Sequence, residues 1–204
     1  MVVAEARKKM NGTSRILVVV LAPEALRGVA YLVQEGSGDE NLQWSYLPSI
    51  RRVRTVVSPE AHTAFLNSDF TYADLGFVRP GMRYTLLGEK EHDGTEAYEL
   101  QGIPKETWYY ARTLTWVDTR SGLPIDRLFY DPGNRLWKRE RFEQVSVVDG
   151  VPTILHASME DLQAKTRTDV EVSAVDYDVD LPDALLEPNG LPDAAESPIW
   201  AGLG

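Results

Sequence analysis

At 204 residues, with 43% hydrophobic and 25% charged side chains, the chain has globular composition and enough length for one sizeable core. Its formal net charge of −10 excludes a general nucleic-acid binder, whose phosphate contacts need a basic surface, and argues against broad adsorption to anionic lipid headgroups. It has no cysteine, hence no disulfide, thiolate metal site, cysteine nucleophile or lipid attached through its own thiol, and no run approaches the ~18 apolar residues of a membrane span.

The N-terminal Met1-Val2-Val3-Ala4-Glu5 puts a charge where a signal peptide has its apolar region. The first strands flank Asn11-Gly12, a pair suited to the positive-φ positions of a type I′ hairpin turn. Ile16 to Leu21 is apolar without alternation, which predicts a strand covered on both faces and stopped by Pro23. A third strand is read over 29–34. In Gln43-Trp44-Ser45-Tyr46-Leu47 the two aromatics share one face, and Pro48 ends it. The strand over 51–57 puts Arg52 and Arg54 on one face and Val53 on the other. Ser58-Pro59 has the chemistry of a helix start, predicting a short helix to about Leu66.

Asn67 to Leu75 fits neither strand nor helix spacing. It is read as a plug that turns Phe70, Tyr72 and Leu75 inward and Asp69 and Asp74 outward. From Gly81 the chain reads as a β-meander. Its turns fall at His92-Asp93-Gly94, Ser121 to Pro124, Asp131-Pro132-Gly133-Asn134 and Asp149-Gly150, with strands expected over 108–118 and 166–179. The expected fold is mainly β: an antiparallel, unclosed half-barrel with short helices as a lid or plug. Residues 1–188 are read as one domain and the Pro/Gly/Ala-rich 189–204 as a flexible tail.

Little in the sequence asks for catalysis. His62, His92 and His156 fall in separate elements without ligand spacing, and Glu91-His92-Asp93 reads as a solvated turn rather than a metal site. There is no P-loop, Gly-x-Ser-x-Gly or His-x-x-Glu-His pattern. Asp176 and Asp178 read as solvated edge charges. No catalytic residue, metal or cofactor is expected, and the chain is read as a non-enzyme.

Two groups of residues stand out. Arg51, Arg52 and Arg54 cluster in an acidic chain, either as a patch for an acidic partner or lipid phosphate or as charge protecting a strand edge. The aromatics are the second group. Singly each is a core residue; together, on a curling sheet, they form either a filled core or the lining of an apolar cavity. The candidate lining set is Val18, Val20, Leu32, Trp44, Tyr46, Phe65, Phe70, Tyr72, Leu75, Tyr84, Leu86, Tyr98, Leu114, Trp116 and Phe129.

Trp44, Tyr46, Leu47, Pro48, Arg51, Arg52 and Arg54, followed by Ser68, Asp69, Phe70, Tyr72, Asp74 and Leu75, resemble the outer-membrane lipoprotein-sorting protein family of the LolA superfamily. Further matches are Arg27-Gly28-Val29, Leu86-Leu87-Gly88-Glu89, Tyr110-Ala111-Arg112, Trp116-Val117-Asp118 and Tyr130-Asp131-Pro132-Gly133, so the resemblance runs from about Val20 to Leu186. It implies a periplasmic carrier of lipid or lipoprotein acyl chains, with a lidded barrel and an RND-type (MMPL-like) exporter as a natural partner. Members begin with a signal peptide, a helix and a first strand, whereas this chain starts at what reads as the second strand; the expectation is a signal peptide removed or trimmed. The rival reading is an adaptor module of a transporter complex with a filled core. A lipid-acting enzyme would need a polar cluster inside the cavity, which the sequence does not display.

Overall fold

Three two-residue turns set the hairpins. Asn11 and Gly12 have φ of 50° and 81°, Asp93 and Gly94 of 48° and 80°, and Asp149 and Gly150 of 50° and 82°. Two consecutive positive-φ residues give a turn whose twist matches that of the flanking strands, and Asn, Asp and Gly adopt it at least cost.

The computed structural model describes residues 1–36, 41–56, 62–76 and 81–201, in two units. The first comprises Met1–Ala61, Ala73–Arg79 and Asp178–Gly204; the second comprises His62–Tyr72 and Pro80–Tyr177.

The first unit holds β1 (Val2–Met10), β2 (Thr13–Ala22), β3 (Ala30–Gln34), β4 (Leu42–Leu47) and β5 (Arg52–Thr55), an antiparallel sheet in chain order. Ile16 to Val20 are all buried, as their unalternated run predicts. One face carries Ala4, Ala6, Leu17, Val19, Ala30, Leu32 and Tyr46, and it packs on Leu181, Leu185, Leu186, Leu191, Ala194, Ala195 and Trp200 of the C-terminal segment.

That packing corrects the expected flexible tail. Residues 183–200 form three 3-10 turns, Asp183–Leu186, Pro188–Glu196 and Pro198–Trp200, and Trp200 is only 8% exposed. Such turns leave carbonyls unpaired, and two residues of the sheet and one of the turn before β3 supply cations for them. Lys8 Nζ donates to Leu181 O at 2.6 Å, Arg15 Nη1 to Leu186 O at 2.7 Å and Arg27 Nη2 to Ala195 O at 3.3 Å. The same cations pair with Asp183, Glu187 and Glu196.

The second unit is a seven-stranded meander: β6 (Met82–His92), β7 (Thr95–Pro104), β8 (Arg112–Asp118), β9 (Pro124–Tyr130), β10 (Leu136–Val148), β11 (Val151–Asp161) and β12 (Thr166–Glu171). Each strand pairs with its sequence neighbours, and the edge strands β6 and β12 do not pair with each other. Neither sheet closes on itself, so the mainly β, antiparallel, unclosed fold is as expected. Two strand bounds differ. The strand expected from Trp108 starts at Arg112, with Trp108, Tyr109 and Tyr110 forming an aromatic group instead, and the last strand ends at Glu171.

The start of the expected 59–66 helix lies outside the described residues. The part described is a turn followed by one 3-10 turn, Phe65–Asn67, and Leu66 and Asn67 at φ of 49° and 59° end any helix there.

Candidate functional site

The register of the meander resolves the second sheet into cross-strand rows. One row on one face reads Leu86, Leu100, Thr115, Arg127, Glu140, Met159, Thr168 from β6 to β12. The row beside it reads Tyr84, Gly102, Thr113, Phe129, Lys138, Asp161, Thr166. Tyr98 and Phe142 lie on the same face by the alternation of β7 and β10.

The plug residues His62–Tyr72 sit on the β10–β12 end of this face. Asp69 makes the attachment: its carboxylate accepts from Thr168 Oγ1 at 2.7 Å and from Thr166 Oγ1, its amide donates to Thr168 Oγ1 at 2.9 Å, and its carbonyl accepts from Lys138 Nζ at 2.6 Å. Thr71 Oγ1 meets Tyr109 Oη at 2.9 Å. Phe65 and Phe70 are buried, and Phe65 meets Tyr72 edge-on at 5.4 Å. Of the three residues expected to turn inward, Phe70 is buried and Tyr72 and Leu75 are half-buried. Asp69 does not turn outward; it is the plug's polar latch, because the threonine pair on β12 offers two hydroxyl donors that a carboxylate satisfies together.

Beyond the plug the face is open. Tyr84 is 65% exposed and Leu86 56%, with Leu100 and Tyr98 half-buried beside them. Gly102 permits this arrangement: a Cβ there would lie 2.7 Å from Thr113 Oγ1, 2.9 Å from Met82 Cε and 3.0 Å from Tyr84 Cε1, so the Tyr84 ring rests across the glycine.

The polar members of the rows are the feature that the sequence pattern missed. Arg127 donates from Nη1 to Glu140 Oε2 at 2.9 Å and from Nε to Thr115 Oγ1 at 3.3 Å. The Glu140 side chain is 6% exposed, that of Arg127 30%. The guanidinium carbon lies 5.5 Å from the Phe142 ring centre and 5.9 Å from that of Phe129. A polar cluster, not expected on the apolar face, therefore stands in the middle of it.

The opposite face is charged and laced with ion pairs. His92 Nε2 meets Asp126 Oδ2 at 3.0 Å, and Asp126 also accepts from Arg139 Nε at 3.0 Å and Nη2 at 2.5 Å. That bond raises the Arg139 guanidinium further above its ordinary value. His156 lies 3.0 Å from Glu143 and 3.2 Å from Asp169, whose carboxyl is lowered chiefly by its bond to Arg167. Among the described residues, His92, Asp93 and Asp126 bring ligand atoms within 4.8 Å of one another. Arg139 already takes up Asp126, and Arg139 and Arg141 reach Asp93 at 3.8 Å and 3.9 Å, so a cation would enter only by displacing guanidinium groups.

The candidate lining residues therefore separate. Tyr84, Leu86, Tyr98 and Phe129 share the open face, with Phe65, Phe70 and Tyr72 in the plug on it. Leu114 and Trp116 belong to the charged face, where Trp116 stacks on His92 at 4.1 Å. In the first unit, Leu32, Trp44 and Tyr46 face the C-terminal segment as ordinary core. Val18 and Val20 are buried on the reverse of that sheet, which also carries Arg52 and Arg54 through the Leu47–Arg52 and Ser45–Arg54 pairs. Arg54 Nε donates to Ser45 Oγ at 3.1 Å, Arg51 is exposed at φ 51° in the preceding turn, and Leu75 falls in the first unit's 73–79 segment. A cleft of about 190 Å³ in the same unit is lined mainly by cations, among them Arg7, Lys8, Lys9 and Arg15, which does not suit an acyl chain.

The family model described as "Uncharacterized protein" matches residues 12–193, and the chain belongs to that family. Among solved structures it is similar to a DUF1329 family protein from Desulfovibrio piger, at TM-score 0.83 and 27% identity over 93% of this chain and 82% of that one. It is also similar to a domain described as outer membrane lipoprotein-sorting from Vibrio parahaemolyticus, at TM-score 0.82 and 23% identity over 91% of this chain and 81% of that one. A LolA superfamily protein from Nitrosomonas europaea matches at TM-score 0.59 and 20% identity over 91% of this chain and 87% of that one. No match was found among curated proteins. No helix among the described residues is long and apolar enough to cross a membrane.

Proposed function

We propose that this protein is a carrier of acyl chains, holding lipid or acylated-lipoprotein cargo on the open face of the β6–β12 sheet. The observation that carries the reading is the exposure of Tyr84 and Leu86, at 65% and 56%, on a face whose other end is covered by an aromatic plug. Contiguous exposed apolar side chains mark a binding surface. Each CH₂ of a bound chain removed from water contributes ~0.8 kcal/mol, so a chain of about sixteen carbons gains roughly 12 kcal/mol before ordering costs. Of the gate read over Phe65 to Leu75, the part in this unit, Phe65 to Tyr72, gates the face through the Asp69 latch. The LolA-like fold supports a carrier role of this general kind and, with it, a periplasmic location and a non-enzymatic mode of action. Arg51, Arg52 and Arg54 form the contact with an acidic partner surface or headgroup, an RND/MMPL-type transporter being the partner class considered.

The test is uptake of a fluorescent fatty acid. Leu86→Asp on the open face abolishes it, and Gln101→Asp on the charged face leaves it intact. Equal uptake by both variants would count against the site. For the arginines, Arg52→Glu combined with Arg54→Glu weakens transporter association or cargo binding; if both are unchanged, the assignment of the patch is wrong. One observation favours the adaptor reading for the first unit: Leu32, Trp44 and Tyr46 are packed core there, leaving its outer surface for any contact.

A further inference from the structure

An ion pair with its carboxylate buried is a poor device for stability. Taking a charge out of water is costly, and well-packed apolar residues of similar volume usually serve as well or better. The Arg127–Glu140 pair nevertheless stands in the middle of a row that begins with Leu86 and Leu100 and continues to Met159. Its geometry is oriented. Glu140 is on the buried side, and Thr115 and Glu140 hold the guanidinium through Nε and Nη1. Nη2 makes no hydrogen bond among the described residues, and the side chain is 30% exposed. Phe129 and Phe142 flank it. A donor group held by two partners and flanked by aromatics, on a face that also carries exposed apolar side chains, recognises an oxygen acceptor that arrives on an apolar body.

We propose that Arg127 anchors the polar end of the cargo, and that the cargo is an acyl chain ending in an anionic oxygen group, a carboxylate or a phosphate. The proposal rests on the carrier reading. The headgroup takes the Nη2 donor, and the chain lies along Leu86, Leu100 and Tyr84 toward the β6 edge. Glu140 and Thr115 are positioning residues that keep the fork flat on the face, and they limit the site to one headgroup charge.

The test is displacement of a fluorescent fatty acid by three ligands of one chain length: laurate, dodecyl phosphate and dodecanol. The expected result is that at least one of the anions displaces the probe at a concentration about tenfold or more below that of dodecanol, the scale of one charge-assisted hydrogen bond. Which anion is stronger separates a fatty-acid from a phosphate headgroup. The double variant Arg127→Met/Glu140→Met replaces the pair with apolar side chains of similar volume. It keeps dodecanol binding and brings all three ligands within about twofold of one another. Equal displacement by all three ligands in the wild-type protein overturns the anchor while leaving the carrier standing. An undiminished anion preference in the double variant assigns the headgroup to another cation and also overturns it. Displacement by none, with no probe bound, overturns the carrier reading and the anchor together. The wild-type comparison decides even if the double variant fails to fold.

Discussion

Asp69→Ala isolates the latch between plug and sheet. The substitution removes the hydrogen bonds from Thr166 and Thr168 to the carboxylate and leaves the backbone contacts of Asp69 with Thr168 Oγ1 and Lys138 Nζ in place. A hydrogen bond to a charged group contributes roughly 1.5–3 kcal/mol, and partial exposure of the plug reduces each of the two to about 1–1.5 kcal/mol. The plug then opens more easily by about 2–3 kcal/mol, or about 30- to 150-fold. Native-state hydrogen exchange reads this directly at the amides of Phe65 and Ser68, which donate to Phe70 O at 2.8 Å and Phe65 O at 3.0 Å. Both accelerate by that factor, while the β8–β9 amides hold their rates. The single variant Thr166→Val, which removes one of the two hydroxyl donors to the carboxylate, gives a smaller acceleration at the same amides, and adding it to Asp69→Ala changes little, because the carboxylate it served is already gone. Unchanged exchange at Phe65 and Ser68, or equal acceleration across β8 and β9, would refute the latch.

Trp200→Ala destabilises the first unit by about 3–5 kcal/mol, the usual cost of deleting a buried tryptophan, since it empties core and removes the Nε1 bond to Ala194 O. A loss below ~1 kcal/mol in chemical denaturation would mean that the C-terminal turns are not part of the core. Gly102→Ala places a methyl 2.7 Å from Thr113 Oγ1 and 3.0 Å from the Tyr84 ring, so Tyr84 moves; it costs ~1–3 kcal/mol by thermal melting and weakens acyl uptake. Uptake and melting both unchanged would deny Tyr84 its position. Asp131 accepts a backbone bond from Arg135 and side-chain bonds from Gln163 and Arg135, which lower its carboxyl to about 2. A lowered native value makes its contribution fully present above the ordinary carboxylate range and lost as pH falls toward about 2. NMR titration of the Asp131 carboxyl gives that value, and a midpoint near 4 would contradict the turn geometry.

The hairpins were legible because their turns are chemical: Asn11-Gly12, Asp93-Gly94 and Asp149-Gly150 tolerate positive φ. Face assignment was less legible. The meander has register irregularities between Leu86 and Gly88 and between Trp116 and Val117, which no residue pattern announces, and Trp116 reads as a lining aromatic but is found stacked on His92 on the charged face. Asp69 was misread for a different reason: a carboxylate between apolar residues looks solvated until the register brings Thr166 and Thr168 beneath it from about a hundred residues away. The C-terminal segment has no apolar period and looks like a loose end. Its order comes from packing of Leu186, Leu191 and Trp200 on the first sheet and from Lys8, Arg15 and Arg27, whose partners no local pattern can reveal. The Arg127–Glu140 pair was hidden in the same way, since only the β9–β10 register places them opposite each other.

The central claim is that this protein holds an acyl chain. Native mass spectrometry of gently purified protein, with organic extraction of whatever accompanies it, measures that directly. The expected result is a bound acyl species with an anionic headgroup, lost from Leu86→Asp and retained by Gln101→Asp. A clean ligand-free mass, together with no uptake of a fluorescent fatty acid, would contradict it and return Tyr84, Leu86 and Tyr98 to an ordinary exposed sheet surface.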